Sequence, residues 1–367
     1  KNALNIVEKM NDPHIQDDFE RFLVQYIKSG FPIQGLSEKS PEFKALNMTL
    51  FEITLPEKTD ETKDRALKEV LSGMEQFYSG MMSVDDDQDE NTKYFTIELA
   101  VANHSDEFTF YVAVHDSKKS LFEKQMLAVF HNAKIVEKRD DYNIFNEKGT
   151  TVASYARYNK DSIWPLKTYD KFDFDPLNSI LNSFSKIKTH GEGASIQIVI
   201  KPQGDSHTKR FKKTLDDILK GEKISEAISK NSEGIFKYVD GFMSGVSNLL
   251  TSKEDKEKAK EKKKEAAQQV DQIAVECIKE KMNSPTVAVN IRIIASAENE
   301  TAAEQILGDI ESSFNQFEYT HGNSLKFERV NKGDFKDLVY NFSFRLFDEK
   351  KRILTNLKEL TSLMHFP

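Results

Sequence analysis

The chain has 367 residues, 38% of them hydrophobic and 31% charged, with a formal net charge of −8. That length accommodates two or three domains, and that charge excludes a chain that binds phosphate over its whole surface, because such binding needs a Lys/Arg excess. The single cysteine, Cys277, excludes an internal disulfide and an all-cysteine zinc site, and it fits a reducing compartment. No apolar run reaches the roughly 18–20 residues of a spanning helix, and no secretory leader is recognisable. The sequence starts at Lys1 rather than Met, so the expectation is a piece of a longer protein with segments missing at both ends.

Residues 1–45 hold one amphipathic helix, with Ile15, Phe19, Phe22, Leu23, Tyr26 and Ile27 at helical spacing and Gly30-Phe-Pro32 as its stop. Its apolar stripe is expected to pack on a domain or a partner. Over 46–146 the order is strand (Thr49–Leu55), helix (Asp60–Tyr78), a hairpin of two strands (Tyr94–Ala102 and Phe108–His115), helix (from Ser120) and strand (Ala133–Lys138). Ser120 and Glu123 have the capping-box spacing, in which each side chain satisfies a backbone N–H of the other residue.

The order then recurs over 147–202 and 285–347. Thr151–Tyr158 reads as a strand. Asp175 followed by Pro176 reads as a helix start, since proline lacks an N–H that would be unpaired there. Ala194–Ile200 and Thr286–Ala295 are apolar strands, Ala302–Phe317 is a helix, and Ser324–Val330 closes the unit. The predicted fold is therefore α+β, with two tandem ferredoxin-like βαββαβ units, the second carrying a long helical insertion. The insertion, 203–284, reads as a projecting arm. Its candidate interface is the stripe Phe236, Val239, Phe242, Met243, Val246 and Leu250, and 254–265 is almost all Lys and Glu. Leu338, Tyr340, Phe342, Phe344 and Leu346 alternate at period two and predict one more strand. Residues 348–367 predict a short amphipathic helix and a proline stop.

Motifs of chemistry are sparse. No Gly-Lys dipeptide occurs, so the phosphate-cradling Walker loop is absent from the sequence. Gly191-Glu-Gly193 precedes a strand and fails as a dinucleotide fingerprint. The run Asp85–Glu90 places Glu90 and Thr96 where a calcium loop starting at Asp85 needs Gly and Glu. No Gly-x-Ser-x-Gly elbow or His-x-x-x-His pair occurs. Phe108, Phe110 and Tyr111 lie where an RNA-recognition domain stacks bases, but the accompanying Lys/Arg-Gly-aromatic motif is missing. Catalytic, cofactor and metal residues are accordingly assigned to none. The most basic segment, with Lys201, Lys209, Arg210, Lys212 and Lys213, is the candidate contact for DNA or an acidic partner.

Three stretches in order carry a resemblance: Phe108–Val114 with Glu123–Phe130 and Asp141-Tyr142; Trp164–Tyr169 with Asp175–Ile180 and Ser195–Pro202; and the terminal Leu354–Pro367. Together they resemble the region ahead of the motor in conjugative DNA-transfer ATPases of the TraG/HerA-like kind, relatives of type IV secretion coupling proteins. The resemblance covers roughly 94–202 and 338–367 and leaves the insertion out. It implies a non-catalytic N-terminal assembly or substrate-positioning module, with ATP and magnesium belonging to a motor domain beyond these residues. Leu360, Leu363, His365, Phe366 and Pro367 would then be the connector to that motor. The implied partners are copies of the chain itself, up to a hexamer, a membrane-side secretion protein and, more weakly, DNA, with no small-molecule substrate. The implied location is the cytoplasm, at the inner face of the membrane. The alternatives are a free-standing adaptor or scaffold, a nucleic-acid-binding ferredoxin-like protein, and an enzyme with a site between the two units.

Overall fold

The computed structural model describes residues 6–7, 9–10, 12–33, 35–55, 67–85, 92–232 and 271–367. The arm stripe Phe236, Val239, Phe242, Met243, Val246 and Leu250 lies outside these residues, as does the Lys/Glu run.

The protein is α+β, with one nine-stranded antiparallel sheet and eleven α-helices among the described residues. The strands are β1 (Met48–Thr54), β2 (Phe95–Val101), β3 (Phe108–His115), β4 (Lys134–Lys138), β5 (Thr150–Tyr158), β6 (Gly193–Pro202), β7 (Thr286–Ala297), β8 (Leu325–Arg329) and β9 (Ile353–Asn356). They lie side by side in the order β4-β1-β3-β2-β6-β7-β5-β8. The middle of the sheet is the pairing of β2 with β6, Phe95 opposite Ile200 through Val101 opposite Ala194. β9 pairs with the first residues of β7, Thr286–Val289, beyond the stretch of β7 that β5 occupies.

One face of the sheet is covered by α3 (Leu67–Met81), α4 (Lys119–Val129), α5 (Leu177–Phe184), α9 (Glu300–Ser313) and α11 (Leu357–Leu363). Met74, Phe77, Phe122, Ile180, Phe184, Leu307, Ile310 and Leu360 meet the inward residues of β1, β2, β3, β6 and β7 there in one continuous core. The other face is covered at its middle by α10 (Lys332–Ser343), through Leu338, Val339 and Phe342. Burial from both sides explains why β2, β6 and β7 read as near-continuous apolar runs rather than alternating ones.

Two further layers are attached. α1 (Pro13–Lys28) and the single turn α2 (Pro41–Ala45) pack over the end of α10, where Leu23 and Leu46 meet Phe344 and Leu346. The described parts of the insertion, α6 (Ser206–Leu219), α7 (Ile224–Asn231) and α8 (Gln272–Met282), pack together over Ala288 and Leu354.

Four local expectations differ from the structure. Residues 338–346 are not a strand. Leu338 and Phe342 face the sheet, while Tyr340 and Phe344, four residues apart, stack at 4.5 Å on the flank turned to α1. A helix buried on two sides places apolar residues at every second position, so period two did not discriminate. The Ser120–Glu123 capping box does not form, because a 3₁₀ turn at Asp116–Lys118 starts the helix earlier and leaves Lys118 at the cap without a side-chain bond. The apolar stripe of the first helix packs only in part: Leu23 is buried and Phe19 and Ile27 pack against Phe344 and Leu346, while Ile15, Phe22 and Tyr26 are exposed and Gln16, Asp17 and Glu20 take the other buried positions. The terminal segment is a strand followed by a helix buried on nearly all sides, rather than one amphipathic helix. The helix start at Asp175 is present, with Asp175 Oδ1 accepting from the Leu177 N–H at 2.8 Å.

Candidate functional site

The strands at the middle of the sheet are apolar except at a few positions, and three of those positions fall in register. Glu98 on β2 lies opposite Gln197 on β6, and Gln197 lies opposite Arg292 on β7. Directly paired residues share a face, so the three form a row across the join of the two halves of the sheet. All three are buried. A buried charge is costly unless it is paired and hydrogen-bonded, and the covering elements supply the partners.

Arg345 follows α10 in a left-handed conformation, φ 51°. Its Nε donates to Glu98 Oε1 at 2.9 Å and its Nη2 to Glu98 Oε2 at 3.2 Å. Asp141, in the segment after β4, takes the other side of the guanidinium at 2.6 Å. Tyr142 donates to Glu98 Oε2 at 2.7 Å and lies 3.2 Å from Ser195 Oγ. Burial lowers the tendency of Arg345 to hold its proton, but the carboxylates of Asp141 and Glu98 outweigh it and hold this guanidinium well above its ordinary value. Burial, reinforced by Glu98, also pushes the Tyr142 phenol up.

Arg292 reaches the carbonyl oxygens of Asn341, at 2.9 Å, and of Leu346, while its Nη1 also donates to Gln197 Oε1 at 2.8 Å. Gln197 Nε2 donates to the Phe342 carbonyl at 3.0 Å. These carbonyls belong to the last turn of α10 and the turn after it; those of Phe342 and Asn341 already accept the backbone N–H groups of Arg345 and Leu346, and the side chains add a second bond to each. A guanidinium there is also favoured by the helix dipole. Burial lowers the Arg292 value to about 10. Every group in the row thus has a partner inside the protein, and the row's evident work is to fix α10 to the join.

Beside this network is a small cleft under α1, lined by Glu20, Arg21, Val24, Lys28, Ala45, Met48, Leu50, Ala113, Lys138, Arg139, Asp141 and Arg345. Asp17 on α1 accepts from Ser343 Oγ at 2.7 Å. Burial, helped by Asp141, raises the Asp17 carboxyl to about 8. Burial and Asp141 likewise raise Glu20 well above the usual carboxylate range.

A second buried ion pair anchors the terminal segment. Asn356 and Glu359 form a capping box at the start of α11. Lys281 of α8 donates to Glu359 Oε2 at 2.6 Å and to the Leu354 carbonyl at 2.8 Å, and both side chains are fully buried. The Leu166 N–H donates to Glu359 Oε1 at 2.7 Å. Burial lowers the Lys281 ammonium despite the carboxylate beside it.

The residues singled out from sequence fall as follows. Leu360, Leu363, His365 and Phe366 are buried and Pro367 is exposed. Phe366 meets the rings of Phe77, Phe110 and Phe130 at centroid distances of 6.1, 5.6 and 5.7 Å. His365 Nε2 lies 2.9 Å from Asp175 Oδ1, and Nδ1 2.9 Å from the Thr361 carbonyl oxygen. Of the basic set, Lys201 pairs with Glu349 at 2.9 Å and Arg210 with Asp161 at 3.3 Å, so both hold the fold together. Lys209, Lys212 and Lys213 stay exposed on one face of α6, opposite the buried Phe211, Leu215 and Ile218. Sequence reasoning missed the Glu98–Gln197–Arg292 row and Arg345. The available signal was a long polar or charged side chain inside each of three mostly apolar strands.

Among the described residues no group of three or more His, Cys, Asp or Glu side chains is placed to hold a metal ion, and no helix is long and apolar enough to cross a membrane.

The chain belongs to the DUF8128 family. The matching family model is described as a domain of unknown function and covers residues 56–367, from the connection after β1 to the terminal segment. The Glu98–Arg345 network and the Lys281–Glu359 anchor both lie within the matched DUF8128 region, whereas Asp17 and Glu20 precede it. No curated protein matches the chain.

Proposed function

We propose that this DUF8128 chain is a non-catalytic assembly and positioning module, the pre-motor part of a DNA- or protein-translocating ATPase of the type IV secretion kind. Each half of the sheet reads as one ferredoxin-like unit. In β4-β1-β3-β2, and again in β8-β5-β7-β6, the strands follow the same order relative to their place in the chain. The two units meet through their second strands.

The observation that carries the reading is the anchoring of the terminal segment. β9 joins the sheet, Glu359 is held by Lys281, Tyr78 donates to the Met364 carbonyl at 2.8 Å, and Phe366 sits in a pocket of three rings. A motor joined beyond Pro367 would be held at a fixed position relative to both units, which is what transmission of force to a collar requires. ATP and magnesium would be bound by that motor. Self-association and a membrane-side partner belong to this reading, and the exposed Lys209, Lys212 and Lys213 are its candidate contact for DNA or an acidic surface.

The test is the coding sequence downstream of the Pro367 codon. A Gly-x-x-x-x-Gly-Lys-[Ser/Thr] motif there supports the reading, and a stop codon directly after Pro367 replaces it with a free-standing adaptor. ATP turnover by the purified chain that persists through further purification would overturn the non-catalytic role.

A further inference from the structure

α1 is an amphipathic helix whose inner face is mixed: Leu23 is buried and Phe19, Val24 and Ile27 pack against Leu46, Phe344 and Leu346, while the rest of that face is polar. Three of its four buried residues are polar (Gln16, Asp17 and Glu20), while Ile15, Phe22 and Tyr26 on its apolar stripe are 38%, 56% and 37% exposed. Burying apolar area is what ordinarily holds a surface helix down; Leu23, Val24 and Ile27 do so in the second half of α1, whereas the attachment of its first half depends on the state of the buried Gln16, Asp17 and Glu20.

Those groups are acids in a place already crowded with acids. Glu20 is 3% exposed, and its carboxyl makes no hydrogen bond or ion pair among the described residues. Around it are Asp17 on its own helix, Glu98 on β2, and Asp141 after β4. The central cation is Arg345, whose guanidinium is already shared between Glu98 and Asp141. Asp17 faces Ser343 and Arg345 after α10, Asp141, and Arg21 on its own helix. Arg21 is turned to Asp18 and Asp140, at 3.1 and 3.0 Å. At the rim of the cleft, Lys138 pairs with Glu52 at 2.9 Å, and Lys28 and Arg139 are exposed. Glu98 and Asp141 thus hold one buried guanidinium whose charge Asp17 and Glu20 also feel, and four carboxylates around a single central cation cannot all ionise without cost.

We propose that α1 is a latch, docked while Asp17 and Glu20 carry protons and released from the sheet when both ionise. Release uncovers the seat formed by Leu46, Phe344 and Leu346 together with the Glu98–Arg345–Asp141 cluster. The sign follows from linkage. Both carboxyls hold their protons more tightly docked than released, so docking is strongest below the ordinary carboxylate range. It weakens as the pH rises toward the docked-state values, near 8 for Asp17.

The test is hydrogen exchange of the whole chain, with each amide rate corrected for its intrinsic pH dependence using the unfolded chain. The docking constant should fall about tenfold per pH unit for each titrating carboxyl. Corrected exchange in α1 should therefore accelerate at least tenfold per unit between about pH 6 and pH 7.5, while β7 stays protected. The double variant Asp17→Asn/Glu20→Gln should remain protected in α1 across that range, with no slope. Flat exchange of α1 in the wild-type chain, or an unchanged slope in the double variant, overturns the latch. If the double variant loses β7 protection, Glu20→Gln alone decides: a smaller slope supports the latch and an unchanged slope overturns it.

Discussion

Arg345→Met is the most informative perturbation of the central network. It keeps most of the side chain's length and removes the charge. Glu98 then stays fully buried with Gln197, Thr96 and Tyr142 as its remaining partners, and Asp141 loses its closest cation. Breaking a buried pair by removing one member costs about 3–5 kcal/mol, because the other charge is left uncompensated. With a urea dependence of about 2 kcal/mol per M, the unfolding midpoint should fall by roughly 1.5–2.5 M. The assay is urea unfolding at neutral pH, followed by far-UV circular dichroism and by Trp164 fluorescence. Replacing both charges, as Glu98→Gln/Arg345→Met, should recover at least half of the loss, since a pair replaced as a unit is often close to neutral. An Arg345→Met midpoint within about 0.3 M of wild type would refute the reasoning. It would mean that Glu98 finds water or another donor, and that the row does not hold α10 to the join.

The terminal anchor gives a second test: Glu359→Ala should cost about 3–5 kcal/mol in the same assay, because Lys281 is left charged and fully buried. Phe366→Ala should cost about 3–5 kcal/mol by opening a cavity among Phe77, Phe110 and Phe130; a loss below about 1 kcal/mol would show that the segment is held elsewhere. Asp17→Asn should raise the urea midpoint at pH 8 and change it little at pH 4, because the wild-type carboxyl, near 8 when folded, costs stability only as the pH rises above its unfolded value. Lys209→Glu/Lys212→Glu/Lys213→Glu should leave stability within about 1 kcal/mol, the three residues being exposed. If α6 contacts DNA, the triple variant should weaken binding of a duplex and flatten its salt dependence, and unchanged binding removes these lysines as the contact.

The elements that could be read from sequence were those with one dominant environment. β1 to β8 were found within a residue or two: most are apolar runs between polar turns, and the short edge strands β4 and β8 keep a few apolar residues between charged ones. α5 and α9 were found from faces that point at one core. The readings failed where a segment serves two environments. Residues 338–346 touch the sheet on one flank and α1 on another, which imitates the alternation of a strand. α1 buries only part of its apolar stripe and leaves Ile15, Phe22 and Tyr26 exposed, which local periodicity cannot reveal. Of the candidate site, Lys201 and Arg210 looked like surface charge, and only their distant partners Glu349 and Asp161 assign them to the fold.

The sequence by itself determined the α+β class, the order of β1 to β8 and the lack of a Walker loop, because hydrophobic period and dipeptide content are local properties. The tertiary structure alone decided that the two halves share one sheet through β2 and β6. It also decided that Glu98, Gln197 and Arg292 line up across that join, and that residues 353–366 complete the core. Those outcomes depend on contacts between distant segments, 247 positions apart for Glu98 and Arg345 and 286 for Tyr78 and Met364, and no window of the sequence contains both partners.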